Sequence, residues 1–276
     1  FSNCRTCTID HKKILAAARL ATSEMPIFVI TGTSAGIGLE LTKQLSSRGD
    51  TVYALCRTQS ERLIAAAKDA PGKVKILTGM DVTKDDIADK LKESLNGVTV
   101  DVLINNAGSI NGGKTSPDWN MQDIFASQKF ESLSLDDMRA CFELNTLGPI
   151  RVTQALLPNL EENGGGKVII ISTQMGSIDD NTSGGIYAYR ASKTAVNMVG
   201  KGLSVDLKDK GIAVGLVHPG FVATQFCGGE NAAAMGAKDV SSSTKGVIDA
   251  IDAVSMENNG KFIGGNYGEG IKYTSW

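Results

Sequence analysis

Tyr189 and Lys193 stand four residues apart in the stretch YAYRASK, residues 187–193. In a helix, positions four apart share a face, so a phenol and an ammonium would project from the same side of one turn. Tyr187 has Ala191 at that spacing, and no cation. A cation beside a phenol favours the phenolate, and a phenol tuned in this way offers acid–base chemistry. The same seven residues also read as the start of an ordinary amphipathic helix with a solvated lysine. The rest of the chain has to decide between the two.

A second candidate lies near the start. TGTSAGIG, residues 31–38, follows a β-branched run and opens a helical pattern. Its glycines, Gly32, Gly36 and Gly38, permit positive φ and let backbone approach a ligand closely. The helix behind them offers unpaired N–H groups and the positive end of its dipole, which suits a pyrophosphate. A tight turn with no ligand is the alternative, but a glycine turn at the head of a strand–helix unit favours a dinucleotide site. The second apolar run ends in ALCRTQ, with Cys56 and Arg57 and no carboxylate. NAD sites favour an acid at this place to hold the ribose hydroxyls, whereas an arginine suits a 2′-phosphate. NADP(H) is therefore favoured over NAD(H). Against this, Ala35 supplies no second cation within the glycine turn, and Arg57 also reads as a surface residue.

These candidates sit in a regular alternation of elements. Short apolar runs, PIFVIT (26–31), TVYALC (51–56), KVKILT (73–78), VDVLIN (100–105), KVIIIS (167–172), IAVGLV (212–217) and KFIGG (261–265), predict strands. Nearly continuous apolar runs suit parallel strands covered on both faces. Helical patterns fall between them, at 37–48, 60–69, 84–95, 134–162, 187–209 and 243–256. The alternation predicts an α/β fold, a doubly wound parallel sheet of the Rossmann type in a single domain. Two segments interrupt it, 109–133 and 221–242. Both follow strands, at the carboxyl edge where such sheets bind ligands, and both are expected to shape a substrate pocket.

Composition limits the function classes. The 276 residues carry 28 basic and 30 acidic side chains, a net charge of −2. No basic stripe points to nucleic acid. No apolar run approaches the roughly 18 residues of a membrane span. The five cysteines, Cys4, Cys7, Cys56, Cys141 and Cys227, are odd in number and scattered, so they form no disulfide framework, and a reducing compartment is the simpler reading. CRTC followed by His11 is a fragment of a zinc pattern without its second ligand pair, so no metal is expected. Residues 1–25 form an N-terminal extension ahead of a domain spanning 26–276. The extension is basic and hydroxylated and begins without Met. A processed protein or a fragment is expected, in the cytoplasm or in an organelle matrix, plastid or mitochondrion.

Taken in order, the motifs resemble those of the short-chain dehydrogenase/reductase family over residues 26–275. TGTSAGIG is similar to the family's cofactor turn, implying contacts from Gly32, Thr33, Ser34, Gly36, Ile37 and Gly38. MDVT (80–83) resembles the turn that places Asp81 and Val82 beside the adenine. NNAG (105–108) implies Asn106, Ala107 and Gly108, and LNTLGP (144–149) implies an active-site Asn145. HPGFVAT (218–224) resembles the loop closing on the nicotinamide, implying Pro219, Gly220, Val222 and Thr224. YAYRASKTAVNM and the ending NGKFIGGNYGEGIKYTSW are similar to the C-factor-like and sniffer-like carbonyl reductases, which use NADPH.

The resemblance implies reduction of a small-molecule carbonyl. Tyr189 would act as general acid, and Lys193 would lower its pKa and hold the nicotinamide ribose. Asn145 would anchor a water in a proton relay from Lys193. The family's second serine in the fifth-strand motif would bind the substrate oxygen, but this chain has Ser172-Thr173 there. Thr173 takes that position and retains a hydroxyl, with Ser172 as the fallback on the opposite face of the strand. The helices at 134–162 and 187–209 could pair across a two-fold axis, and monomers also occur in this branch, so monomer and homo-oligomer both stand. An accessory or scaffold subunit that binds nucleotide without turnover is the alternative function, because fold does not fix function.

Overall fold

A computed structural model describes residues 25–113, 121–162, 164–227, 230–264, 270 and 272–276. The extension with Cys4, Cys7 and His11 lies outside the described residues. In chain order the first half runs β1 (Ile27–Thr31), α1 (Gly36–Arg48), β2 (Thr51–Leu55), α2 (Glu61–Asp69), β3 (Val74–Leu77), α3 (Ile87–Ser94) and β4 (Val102–Asn105). A short helix, α4 (Met121–Ser127), lies in the first interrupting segment. The second half runs α5 (Leu135–Phe142), α6 (Gly148–Glu161), β5 (Lys167–Ile171), α7 (Tyr187–Asp206), β6 (Ala213–Val217), α8 (Glu230–Ala234), α9 (Val240–Ala253), β7 (Lys261–Gly264) and β8 (Lys272–Tyr273).

The strands form one sheet in the order β3-β2-β1-β4-β5-β6-β7-β8. All pairings are parallel except β7 with β8. The apolar runs are buried on both faces, and alternate side chains enter two cores. Phe28 and Ile30 pack with Leu41 and Leu45 of α1, Leu63 of α2 and Val247 and Ile251 of α9. Val29 between them packs on the other face, with Ile87 and Leu91 of α3 and Val152 and Leu156 of α6. The sheet is therefore a doubly wound Rossmann sheet. Its order reverses between β1 and β4, so the loops after these two strands diverge and leave a crevice at their carboxyl ends.

The expected helix over 134–162 is interrupted. Residues Glu143–Leu147 form a π-helical turn between α5 and α6, and Asn145 lies within it. Burial keeps a helical spacing across it, at Asp137, Cys141, Asn145, Pro149 and Val152, so the pattern shows no break there. The helix expected over 243–256 begins earlier, at Val240, because the Asp239 side chain accepts from Ser242 N at 2.9 Å. The exposed pair Lys272–Tyr273 adds the antiparallel edge strand β8, which no apolar run announces. Among the described residues, no helix is long and apolar enough to cross a membrane.

Candidate active site

The glycine turn is held by the strands on either side of it. Gly32 N and Thr33 N both donate to the Leu55 carbonyl at the end of β2, at 2.9 and 3.2 Å. On the β4 side, Thr31 Oγ1 accepts from Asn106 N and Ala107 N, each at 3.0 Å. The Asn106 amide returns bonds to the carbonyls of Thr31 and Gly32, at 2.9 and 3.1 Å. Gly38 is enclosed by this lacing. A Cβ there would lie 2.3 Å from Gly32 O and 2.5 Å from Asn106 Nδ2. Helix α1 begins at Gly36 behind Ala35, which provides no side-chain cap. Its first N–H groups face the crevice without a side-chain partner, as an anion site requires.

A cavity of about 1450 Å³ runs from this turn across the carboxyl edge of the sheet. At one end it meets Cys56 and Arg57 after β2, Arg62 of α2, and Asp81 and Val82 after β3. Arg57 is exposed at the rim. Burial works against the Asp81 charge, but bonds from Thr83 N and Oγ1 at 3.0 and 2.8 Å, with Arg57 nearby, hold its carboxyl below the usual range. Burial pushes the Cys56 thiol up. At the other end the cavity meets Thr173, Tyr189, Lys193 and an apolar wall that includes Ile110, Phe125 and Phe226.

Tyr189 is 6% exposed and packs with Ile110 and Ile186, and its ring meets Phe226 edge-on at 5.7 Å. Lys193, one turn on, is buried, with Nζ 6.0 Å from the Tyr189 ring centroid and donating to the Ile171 carbonyl at 2.9 Å. Burial lowers its pKa to about 8. Tyr187 stands apart. It is exposed at the helix start, outside this cavity, with its ring 5.8 Å from that of Phe130.

The two hydroxyls after β5 differ in commitment. Ser172 donates to Asn197 Oδ1 at 2.5 Å. Thr173 Oγ1 accepts from Met175 N at 3.2 Å, so its own proton remains to donate into the cavity.

Asn145 is fully buried behind the cavity wall. Its Oδ1 accepts from Ser109 N at 2.9 Å, and its amide donates to Ser109 O at 2.8 Å and Ser192 Oγ at 3.0 Å. Gly108 lies between Asn145 and Lys193, since a Cβ there would stand 3.1 Å from Asn145 Oδ1 and 3.5 Å from Lys193 Nζ.

The cavity thus gathers Gly32, Ser34, Gly36, Ile37, Gly38, Arg57, Asp81, Val82, Asn106, Ala107, Gly108, Thr173, Tyr189, Lys193, Pro219, Gly220, Val222 and Thr224. Thr33 lies beneath the turn, its hydroxyl donating to the Leu55 carbonyl at 3.1 Å. The loop after β6 is pinned over the cavity. Ser243 Oγ donates to Pro219 O at 2.7 Å, and Ala223 N donates to Lys238 O at 2.8 Å. His218 lines the cavity too, and burial lowers its pKa to about 4, so it is neutral at pH 7. Arg62 and Gln128 escape the motif reading. Arg62 follows the N-cap Ser60 on a helix whose pattern marks it only as exposed. Gln128 is a polar residue 1% exposed inside an interrupting segment, where no periodicity signals burial.

A Rossmann sheet with a glycine turn at its switch point and a buried Tyr–Lys pair beside it defines a nucleotide-dependent oxidoreductase site. The sequence model described as short chain dehydrogenase matches residues 26–234. The chain belongs to the short-chain dehydrogenase family. It is 34% identical over 250 residues to a 1-hydroxy-2-glutathionyl-2-methyl-3-butene dehydrogenase of Rhodococcus sp. (strain AD45), covering 86% of this chain and 96% of that protein. It is 39% identical over 164 residues to C-signal of Myxococcus xanthus, covering 59% and 87% of the two chains. Among solved structures, the carbonyl reductase Sniffer of D. melanogaster superposes with a TM-score of 0.75 at 29% identity, over 92% of this chain and 100% of that one. An NADPH-bound carbonyl reductase from chicken fatty liver gives 0.74 at 26% identity with the same coverage.

Proposed function

We propose that this chain is an NADPH-dependent reductase that converts the carbonyl of an aldehyde, ketone or quinone to an alcohol, with Tyr189 as general acid. The observation that carries the reading is the single cavity joining Tyr189, Lys193 and Thr173 to the glycine turn. The residues present fit a dinucleotide. The turn leaves no room for a Cβ at Gly38 and presents uncapped helix N–H groups to a pyrophosphate. Asp81 and Val82 would flank the adenine, and Arg57 and Arg62 would take the 2′-phosphate, with no carboxylate following β2. Asn106, Ala107 and Gly108 would line the floor, with Pro219, Gly220, Val222 and Thr224 above the nicotinamide. Bound there, NADPH supplies the hydride.

The side chains do the rest. Thr173 donates its free proton to the substrate oxygen, and this bond strengthens as negative charge develops. Tyr189 gives its proton to that oxygen. Lys193, anchored to Ile171, has N–H groups left for the ribose, and its charge favours the phenolate left behind. Both amide protons of Asn145 are committed within the protein, so a relay water would donate to an Asn145 oxygen. Ile110, Phe125 and Phe226 would give the substrate an apolar wall beside the reacting atoms.

Two neighbours are named as carbonyl reductases, one of them with NADPH bound. The Rhodococcus relative's name describes a glutathionyl alcohol, so a carbonyl bearing a thioether-linked peptide belongs in the substrate panel. The test is NADPH oxidation with aldehydes, ketones, quinones and that conjugate. Tyr189→Phe is expected to lower turnover by about 10²–10⁴-fold while NADPH still binds. Turnover equal to wild type would overturn the assignment. NADPH binding with no turnover of any carbonyl, together with stable co-purification of partners, would favour the accessory-subunit alternative.

A further inference from the structure

We infer that Gln128 caps the catalytic helix from outside it, and so is a positioning residue for Tyr189. Helix α7 begins without a cap of its own. Its N-cap residue is Ile186, held at φ 50° with no side-chain hydrogen bond to the helix. A β-branched residue at positive φ is an outlier, and isoleucine has no acceptor to offer the first-turn N–H groups. The residues before it, Gly184 and Gly185, are also left-handed, so the chain enters the helix through three residues in a row at positive φ.

The missing acceptor comes from a residue 61 positions away. Gln128 Oε1 accepts from Tyr189 N, the third N–H of α7, at 3.4 Å. Gln128 Nε2 donates to the Ile110 carbonyl at 2.6 Å. The side chain is 1% exposed, so both bonds form away from water, where an unmade bond is expensive. Ile110 shares a small buried apolar cluster with Tyr189 and Ile186, and its carbonyl also accepts from Cys141 Sγ at 3.6 Å. Two residues past Gln128, the Phe130 ring meets Tyr187 at 5.8 Å. The segment 128–130 therefore docks on the first turn of α7 at two points. One amide ties the loop after β4, the helix start and the cavity wall to the backbone of the proposed acid. Substrate pressing on Ile110 would act on the same amide.

The proposal rests on the reading of Tyr189 as the acid, so its test has one arm that needs no turnover. In that arm, amide hydrogen exchange is measured across residues 187–190 of the full chain. Gln128→Leu removes both bonds, and exchange there is expected to rise about 5–10-fold, the scale of a lost cap, with the rest of α7 unchanged. Gln128→Glu matches both bonds only when its carboxyl is protonated, because the ionised form sets an acceptor against the Ile110 carbonyl. It is therefore expected to restore protection at low pH and to lose it as the carboxyl ionises. In the kinetic arm, Gln128→Leu is expected to lower kcat about tenfold or more, since a small misplacement of a reacting group is costly. The NADPH dissociation constant should hold within about twofold. The deuterium isotope effect with labelled NADPH should rise, and Gln128→Glu should recover kcat only toward the pH at which its carboxyl is protonated. Exchange at 187–190 that is unchanged in Gln128→Leu overturns the capping. Exchange that rises while kcat and the isotope effect stay at wild-type values overturns the positioning role. If no carbonyl is turned over by wild type, the reductase reading and the positioning role both fall, while the exchange arm still decides the cap.

Discussion

The Nζ of Lys193 donates to the Ile171 carbonyl at 2.9 Å, so the last residue of β5 fixes the ammonium that sits one helical turn from Tyr189. The bond runs from the buried helix to the strand edge, and it brings the charge out of water. Strand, helix and cavity are joined at this point.

That burial gives Lys193 a pH signature. Its pKa falls from 10.5 to about 8 through loss of solvation. Below about pH 8 the folded protein holds a buried cation at a cost. Between about 8 and 10.5 the folded state has released the proton while the unfolded chain still binds it, so stability attributable to this group rises with pH. Relative to Lys193→Met, the apo protein is expected to gain on the order of 2 kcal/mol between pH 8 and pH 10. Urea unfolding of both proteins at three pH values measures this. Parallel pH dependences would show that the lysine is not buried as described.

Gly38 is the position where the glycine turn has least room. A Cβ there meets a backbone carbonyl at 2.3 Å and the Asn106 amide at 2.5 Å. Neither is the free end of a flexible chain, because Asn106 is itself bonded to Thr31 O and Gly32 O. Gly38→Ala is expected to weaken NADPH binding about 100-fold or more and to cost about 1–3 kcal/mol of stability. Calorimetric titration and thermal melting report the two effects separately. NADPH affinity at the wild-type level would mean that the turn does not hold the pyrophosphate.

Cofactor choice should reside in two arginines. Arg57 stands at the rim after β2, and Arg62 lines the same end of the cavity. The double variant Arg57→Ala/Arg62→Ala is expected to lower the ratio of kcat/KM for NADPH over NADH by about 10–100-fold, because charge-assisted bonds to a phosphate are among the stronger ones. Steady-state kinetics with both cofactors decides it. An unchanged ratio would place the 2′-phosphate elsewhere.

The residues that were legible in the sequence share a physical reason. Val29, Leu103 and Val168 lie in strands buried on both faces, and such strands must be apolar almost throughout. Gly38 is read from a motif whose geometry is local to one strand–turn–helix unit, and Asn106 from a separate motif after β4 that the fold brings to the same turn. The π turn around Asn145 left no mark because helical periodicity continues across it. Gln128 was invisible for a different reason. Its burial depends on Ile110 and Tyr189, partners distant in sequence, and a glutamine in a polar stretch looks solvated until the fold encloses it. The edge strand Lys272–Tyr273 is two exposed residues long, too short for any alternation.

The proposed hydroxyl partner of Tyr189 is where this chain departs from the usual serine, and the geometry separates the candidates. Ser172 gives its proton to Asn197 Oδ1 at 2.5 Å, whereas Thr173 Oγ1 only accepts, from Met175 N at 3.2 Å. A hydroxyl can serve the substrate oxygen only with a proton to donate. Thr173→Val keeps the shape and removes the donor, and it is expected to lower kcat about 10²–10³-fold, as for loss of one oxyanion donor. Thr173→Ser keeps the donor and should retain most of kcat, with some loss from the freer χ1 that the methyl now restrains. Ser172→Ala removes a buried bond and is expected to cost about 1–2 kcal/mol of stability, with a smaller effect on kcat than Thr173→Val. Single-turnover rates with a common aldehyde rank the three. If Ser172→Ala abolishes the chemical step and Thr173→Val spares it, the roles are exchanged, and the bond to Asn197 must then break whenever substrate binds.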